Sequence, residues 1–305
     1  VTTTAPTVTV NTASTVTVNK ATSLARRARR DVTLRMVVPL IIIGLIIIGA
    51  IVIPWVYGYD PLKVDLVNRL KPPGTVMSDG RVAILGTTQV GGDLFAEIMS
   101  GARISLVIGV STLVFAGAVG VLFGLLAAHF GGAADATLMR LADIQLAFPS
   151  ILLAILIASV LGQGVGNIIL VLSIASWVVF ARVTRSQVLS LRNREYVEAA
   201  RTLGAGNAHL MFRTLLPGTI APVIVVATTQ FATVILAEAA LSFLGVGVPL
   251  GTPSLGSTIF NGTQYLTTAW WISTFPGVLL VILMLCFGIL GDALRDKFDP
   301  RLRSA

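Results

Sequence analysis

Residues able to do chemistry are few in this chain, and most stand too far apart to act together. His129 and His209 lack the spacing of a zinc site. No Gly-x-x-x-x-Gly-Lys-Ser/Thr loop is present, so the chain has no phosphate cradle of its own for ATP. No His-Glu-x-x-His and no Gly-x-Ser-x-Gly elbow occurs. Gly162-Gln163-Gly164-Val165-Gly166 has dinucleotide-like glycine spacing, but no strand and turn precede it. Asp60 and Asp292 come nearest to an intramembrane carboxylate pair, yet the topology below puts them on opposite membrane faces. Cys286 is the only cysteine, which excludes an intrachain disulfide and suits packing in its apolar run. These observations predict a non-catalytic chain that holds no metal and no cofactor.

The informative polar stretch is Arg192 to Pro217, set between apolar runs. Its pattern predicts a helix over 187–203. Arg194 and Glu198 at i,i+4 can form an ion pair, and Val197 with Arg201 shares an edge. Gly204 and Gly206 can take positive φ and stop the helix. Asn207 can cap a second short helix over 209–215, and Pro217 suits the first turn of the span that follows. Two short helices joined by a glycine elbow at the water interface result. The residues alone allow two roles, a helix lying on lipid or a surface that docks a partner. Inside the spans, Gln230 and Glu238 are the candidate pathway or gating groups, and Asp143 with Gln145 lies near the inner end of the third span. For Glu238 the structural alternative is a carboxylate that accepts from backbone amides of the next loop. Gln230 with Thr228, Thr229 and Thr233 either lines a wet path or bonds helix to helix.

The elements that must position these residues are membrane helices. The chain is 55% hydrophobic and 12% charged, with a mean hydropathy of +0.88. Soluble domains carry roughly twice that charged fraction. Six spans are predicted, over 36–57, 104–128, 137–161, 167–181 (reaching 188 if Arg182 and Arg185 snorkel), 218–244 and 269–290, with Pro149 kinking the third. Arg140 and Asp143 can pair at the start of that third span. With both termini cytoplasmic, every Lys and Arg falls inside except Lys63, Arg69, Lys71, Arg81 and Arg103. The net charge of +8 therefore reads as membrane topology, not as nucleic-acid binding. The organisation expected is a disordered basic cytoplasmic tail over 1–35 and a first span with an extracytoplasmic segment over 36–103. A core over 104–292 follows, with its loop at 187–217, and then a cytoplasmic tail over 293–305.

Glu198-Ala199-Ala200, Gly204 six positions after Glu198, and the closing Leu216-Pro217 resemble the EAA loop of permease subunits of bacterial ABC importers. Gly101-Ala102-Arg103-Ile104-Ser105-Leu106, Glu238-Ala239-Ala240-Leu241-Ser242-Phe243-Leu244-Gly245 and Gly291-Asp292 through Asp299-Pro300-Arg301-Leu302 are similar to the DppC/OppC-like peptide permeases. Gly91-Gly92-Asp93 stands where that subgroup carries Gly-Arg-Asp. The resemblance covers about residues 30–303. It implies an all-α integral-membrane protein of the type I ABC importer permease fold, in the plasma (inner) membrane. It makes Tyr196, Val197, Glu198, Ala199, Ala200, Arg201, Gly204, Leu216 and Pro217 a coupling site for an ATPase. The apolar face of Tyr196, Val197 and Ala200 would fit the ATPase groove. The implied partners are a second DppB/OppB-like permease subunit, two ATP-binding subunits of the DppD/OppD and DppF/OppF kind, and an extracytoplasmic substrate-binding protein. ATP and magnesium would reside in those ATPase subunits. The implied cargo is a di- or oligopeptide, with nickel chelates, glutathione or opines as the alternatives. An ion-coupled carrier or membrane scaffold is the reading from a different class, and it calls for titratable carboxylates at mid-membrane.

Overall fold

The computed structural model describes residues 36–58, 60, 63–249 and 251–298. The expected tail over 1–35, its arginine anchor, and Arg301 and Arg303 lie outside the described residues. Long apolar runs with few breakers give long helices, because backbone groups in hydrocarbon must bond within their own segment. The helices are α1 (Met36–Val56), α2 (Leu94–Phe130), α3 (Gly132–Leu146), α4 (Ser150–Leu161) and α5 (Val165–Leu191). After them come α6 (Glu195–Thr202), α7 (Asn207–His209), a π-helical turn (Leu210–Leu215), α8 (Leu216–Phe243), α9 (Leu255–Thr263) and α10 (Trp271–Phe298).

Five helical stretches are long and apolar enough to cross a membrane, and a sixth span exists if α3 and α4 count as one. Those two meet at an 88° bend. Pro149 stands at the N-cap of α4, where its missing N–H and its ring end the preceding helix. The expected kink is thus a full break. Several bounds also move. The second span is the later part of a helix that begins ten residues earlier, at Leu94, where Asp93 accepts a hydrogen bond from the Ala96 amide at 3.1 Å. The last helix continues past the expected tail boundary to Phe298.

The two sides of the bundle separate by their contacts. On one side, residues 63–93 form a small lid with a two-stranded hairpin, Thr75–Val76 paired to Val82–Ala83. Trp271 Nε1 donates to the Thr87 carbonyl at 3.2 Å, and Arg69 donates to the Tyr265 hydroxyl at 3.2 Å. The loop before α10 therefore lies on the same side as the lid. Gln163 of the α4–α5 turn donates to the Gly245 carbonyl at 2.8 Å, which places that turn there too. On the opposite side lie the α2–α3 junction and the stretch between α5 and α8.

α2 and α5 form the tightest pair. A Cβ on Gly120 would sit 2.4 Å from the Trp177 carbonyl oxygen, and one on Gly124 would sit 2.5 Å from that of Ala181. These glycines, four residues apart, let the two backbones touch, as small residues do between membrane helices. α3 runs antiparallel along the half of α5 that lies away from the lid. Arg185 pairs bidentately with Asp135, with its Nη2 at 2.6 Å, and Arg182 pairs with Asp143 at 2.6 Å. The expected Arg140–Asp143 pair is thus replaced by a link between helices. Gln145 completes the seam, accepting from Trp177 Nε1 at 2.7 Å and donating to the Ile174 carbonyl at 2.6 Å.

Gly124→Val should break the α2–α5 seam and cost about 1–3 kcal/mol or more, as overpacking does. Gly117→Ala should be tolerated, since its Cβ would meet nothing nearer than 3.9 Å. Thermal unfolding of the detergent-solubilised protein checks both. Equal melting temperatures for the two variants would contradict the seam.

Candidate functional site

The stretch between α5 and α8 is where the sequence concentrates its polar, structured residues. Helix α5 ends at Leu191, and Arg192 occupies its C-cap. The chain turns through Asn193 and Arg194, so the single helix expected over 187–203 is two helices with a break. Arg194 is extended, and its carbonyl accepts from the amides of Val197 and Glu198 at 2.9 and 3.2 Å. Among the described residues no ion pair joins Arg194 to Glu198; the pairs formed are those of Arg81, Arg182 and Arg185. Glu195 and Glu198 instead occupy the first turn of α6, and Arg201 the last. That order suits the helix dipole.

The elbow is a Schellman turn. Gly204 has φ +85°. Its amide donates to the Arg201 carbonyl at 3.0 Å, and the Ala205 amide donates to the Ala200 carbonyl at 3.0 Å. This pairing is the one that satisfies the last carbonyls of a helix ending in a left-handed residue. Gly206 has φ −70° and serves as the next N-cap, so only the first glycine needs its freedom. Asn207 is not the cap expected of it. Its Oδ1 shares a 3.2 Å hydrogen bond with His129 Nε2 at the end of α2. The chain then widens into the π-helical turn before Pro217 enters at the first turn of α8. A proline ring crowds the carbonyl four residues back, and the wider turn gives that carbonyl room.

One buried side chain decides how α6 sits. Val197 is 1% exposed. It lies in a cluster with Leu125 and Ala128 of α2, Val188 of α5, Leu210 and Met211 of the π turn, and Leu215, with Ala200 and Ala205 packed alongside. The apolar edge expected to enter a partner's groove is therefore divided. Val197 and Ala200 are taken up by the protein itself. The face left outward carries Glu195, Tyr196, Glu198, Ala199, Arg201 and Leu203, with Leu203 87% exposed. Arg192, absent from the sequence-based site, adds a second tie by donating to the Ala128 carbonyl at 3.2 Å. A Cβ on Gly218 would meet Leu191 Cδ1 at 2.6 Å, so the start of α8 is also pressed on the end of α5. The arrangement is a short outward-facing helix clamped under three long ones.

The candidate pathway residues do not join this site. Gln230 is half-buried on α8. Thr228 and Thr229 bond back to carbonyls of their own helix and lie against Gly291 of α10. Glu238 is fully buried, so it lines no open path in this conformation. Its oxygens accept from the hydroxyls of Ser105 at 2.7 Å and Ser242 at 2.8 Å, not from loop amides.

Known proteins extend these observations. The family described as "Binding-protein-dependent transport system inner membrane component" matches residues 120–304. The chain is 41% identical to the di/tripeptide transport system permease protein DppC of Pseudomonas aeruginosa, over 83% of each chain. It is 40% identical to the oligopeptide transport system permease protein OppC of Bacillus subtilis, over 88% of this chain and 86% of that protein. Among solved structures, a chain of the MetNI methionine ABC transporter, seen in inward-facing conformations, superposes with a TM-score of 0.54 at 21% identity. That match covers 67% of this chain and 97% of that one.

Val197→Asp should release α6 from the bundle, since burying that valine contributes about 1.5–3 kcal/mol and an aspartate there has no partner. Hydrogen exchange at residues 195–203 should rise, while exchange in α2 and α5 at Gly120 and Ala181 should not. Equal protection of residues 195–203 in the variant and the wild type would refute the anchor. Gly204→Val should cost about 1–2 kcal/mol at φ +85°, although the space around it is open. Gly206→Val should cost far less, and comparison of the two unfolding curves checks this.

Proposed function

The chain belongs to the family of binding-protein-dependent transport system inner membrane components, and on that premise we propose that α6 is the coupling helix through which ATPase subunits drive it. The observation that carries this reading is the seating of Val197. A helix of eight residues has too few bonds to persist alone in water, yet this one is held by a buried residue and presents its other face outward. A partner that pushes on that face moves the ends of α2, α5 and α8 together, because all three contribute to the cluster that holds it. Motion of packed rigid elements about such a contact is a common form of switching.

In this reading the ATPase meets Tyr196, Glu198, Ala199, Arg201 and Leu203. Small Ala199 allows close approach, and the charges set orientation. Val197, Ala200, Gly204, Leu216 and Pro217 act behind that face, fixing its angle. The chain supplies part of the pathway in the plasma membrane with both termini cytoplasmic, beside a second permease subunit. The ATP and magnesium sites reside in the ATPase subunits, and an extracytoplasmic binding protein delivers cargo. The names of the relatives at about 40% identity support di- or oligopeptides as that cargo.

Affinity purification of the tagged chain in mild detergent, from cells that carry its neighbouring genes, tests the reading. ATP-binding proteins should be retained, and Leu203→Glu should reduce that retention by at least about tenfold, as loss of an exposed apolar anchor does. Retention that survives both Leu203→Glu and Tyr196→Glu would overturn the assignment of this face.

A further inference from the structure

A second cluster of charge stands where the lid meets the start of α2, on the side opposite α6. Asp60, Asp65, Asp79 and Asp93 line one cavity of ≈ 50 Å³ together with Lys63 and Arg81. When all are ionised, four carboxylates face two cations. Much of that charge is already spent. Arg81 donates from Nε to Asp79 at 2.7 Å and from Nη1 to the Tyr57 carbonyl at 2.6 Å. Asp65 accepts from Asn68 Nδ2 at 2.7 Å. Lys63 is exposed.

Asp93 is different. It is 6% exposed. Its Oδ1 accepts from the Ala96 amide at 3.1 Å, whereas its Oδ2 has no hydrogen-bond partner among the described residues. A carboxylate is planar, so the oxygen that caps the helix leaves the other turned away from it, beside the cavity that Asp93 lines. Burial raises this carboxyl above the usual carboxylate range, against the backbone amides and the charge of Arg81, which lower it. A buried acceptor left unpaired is costly, and an arriving cation would offset that cost.

The walls of the cavity are fixed. The Asp65 amide donates to the Val90 carbonyl at 2.8 Å. A Cβ on Gly91, whose φ is +83°, would strike the Asp65 carbonyl oxygen, so those two segments touch. A metal ion suits the site poorly, because among the described residues no three His, Cys, Asp or Glu side chains are grouped to hold one. The volume has room for a few waters, or for one ammonium head in their place. An ammonium carries three donors and needs no full coordination sphere.

We propose that this cavity is a binding site for a primary ammonium group, with Asp93 Oδ2 as its counter-charge. Two sources carry such a group to the lid side, the amino end of a peptide and the ε-ammonium of a lysine on a docked protein. The site stands on its own geometry. Its use in cargo entry rests on the importer reading.

Equilibrium binding to the purified full chain in lipid nanodiscs tests this without any ATPase, so its failure and that of the importer reading are distinguishable. The probes are glycylglycine amide with a free α-ammonium, Nα-acetyl-lysine amide with a free ε-ammonium, and Nα-acetylglycine amide with neither. All are amides, so that no carboxylate meets the surplus negative charge. At least one ammonium probe should bind about tenfold or more tightly than the third. Asp93→Asn removes the charge and keeps the cap, since asparagine caps a helix as well as aspartate does. It should weaken ammonium binding by about tenfold or more, the scale of a lost hydrogen bond between charged groups. Tighter binding of the dipeptide amide would assign the site to peptide ends, and tighter binding of the lysine probe would assign it to a docked protein. Equal binding of all three probes, or binding that Asp93→Asn leaves unchanged, would overturn the site. So would the absence of binding by both ammonium probes at about 10 mM.

Discussion

The face of this protein opposite the lid depends on one apolar contact, the seating of Val197 among the ends of α2, α5 and the turn that leads into α8. Without it, residues 195–202 would be a short polar helix on a loop, free to take any angle. With it, the helix has a fixed face and a fixed set of neighbours. The Schellman turn at Gly204 and the tie of Arg192 to Ala128 hold the two ends of the same unit. The contact is small, but the helices it reaches are rigid. The glycine seam between α2 and α5 leaves no room for one to slip past the other, so a displacement at Val197 must be shared by both.

The rest of the bundle is shaped by the hydrocarbon around it. Charges near the spans are spent on each other: Arg185 on Asp135, and Arg182 on Asp143. Gln145 divides itself between an indole N–H and a backbone carbonyl. Glu238 of α8 takes a hydroxyl proton from Ser105 of α2. In each case the polar group joins two elements that carry no covalent link there. The same constraint that makes such groups expensive makes their pairing selective, because an alternative partner within the bilayer is rarely at hand.

Much of this was legible in the sequence, and the remainder fails for identifiable reasons. Span positions follow from hydropathy, and the break at Pro149 and the left-handed Gly204 follow from local sterics. The break at 192–194 was not legible, because helix propensity continues through it. Tyr196, Val197 and Ala200 read as one apolar edge in the sequence, but Tyr196 stays 49% exposed. Periodicity does not say how much of an edge the chain will bury against itself, and Val197 and Ala200 went inward. Arg182 and Ser105, which bond Asp143 and Glu238, stand 39 and 133 residues from them, beyond any local pattern. Helix α9 was missed altogether, although Ser254 and Ser257 carry the spacing of a capping box and form one. Its seat lies in close contacts of Gly101 with Ser254 and of Gly256 with Ala239, which one sequence does not reveal.

The central claim is that the outward face of α6 lies on the cytoplasmic side, where a nucleotide-driven partner can push it. The direct measurement is the sidedness of a cysteine at position 203 in a chain lacking Cys286. The account predicts rapid reaction with an impermeant reagent in inverted membrane vesicles and none in intact spheroplasts, with protection in vesicles when the ATP-binding partners are present. Rapid reaction from outside would put the helix beyond the reach of any cytoplasmic ATPase and contradict the account.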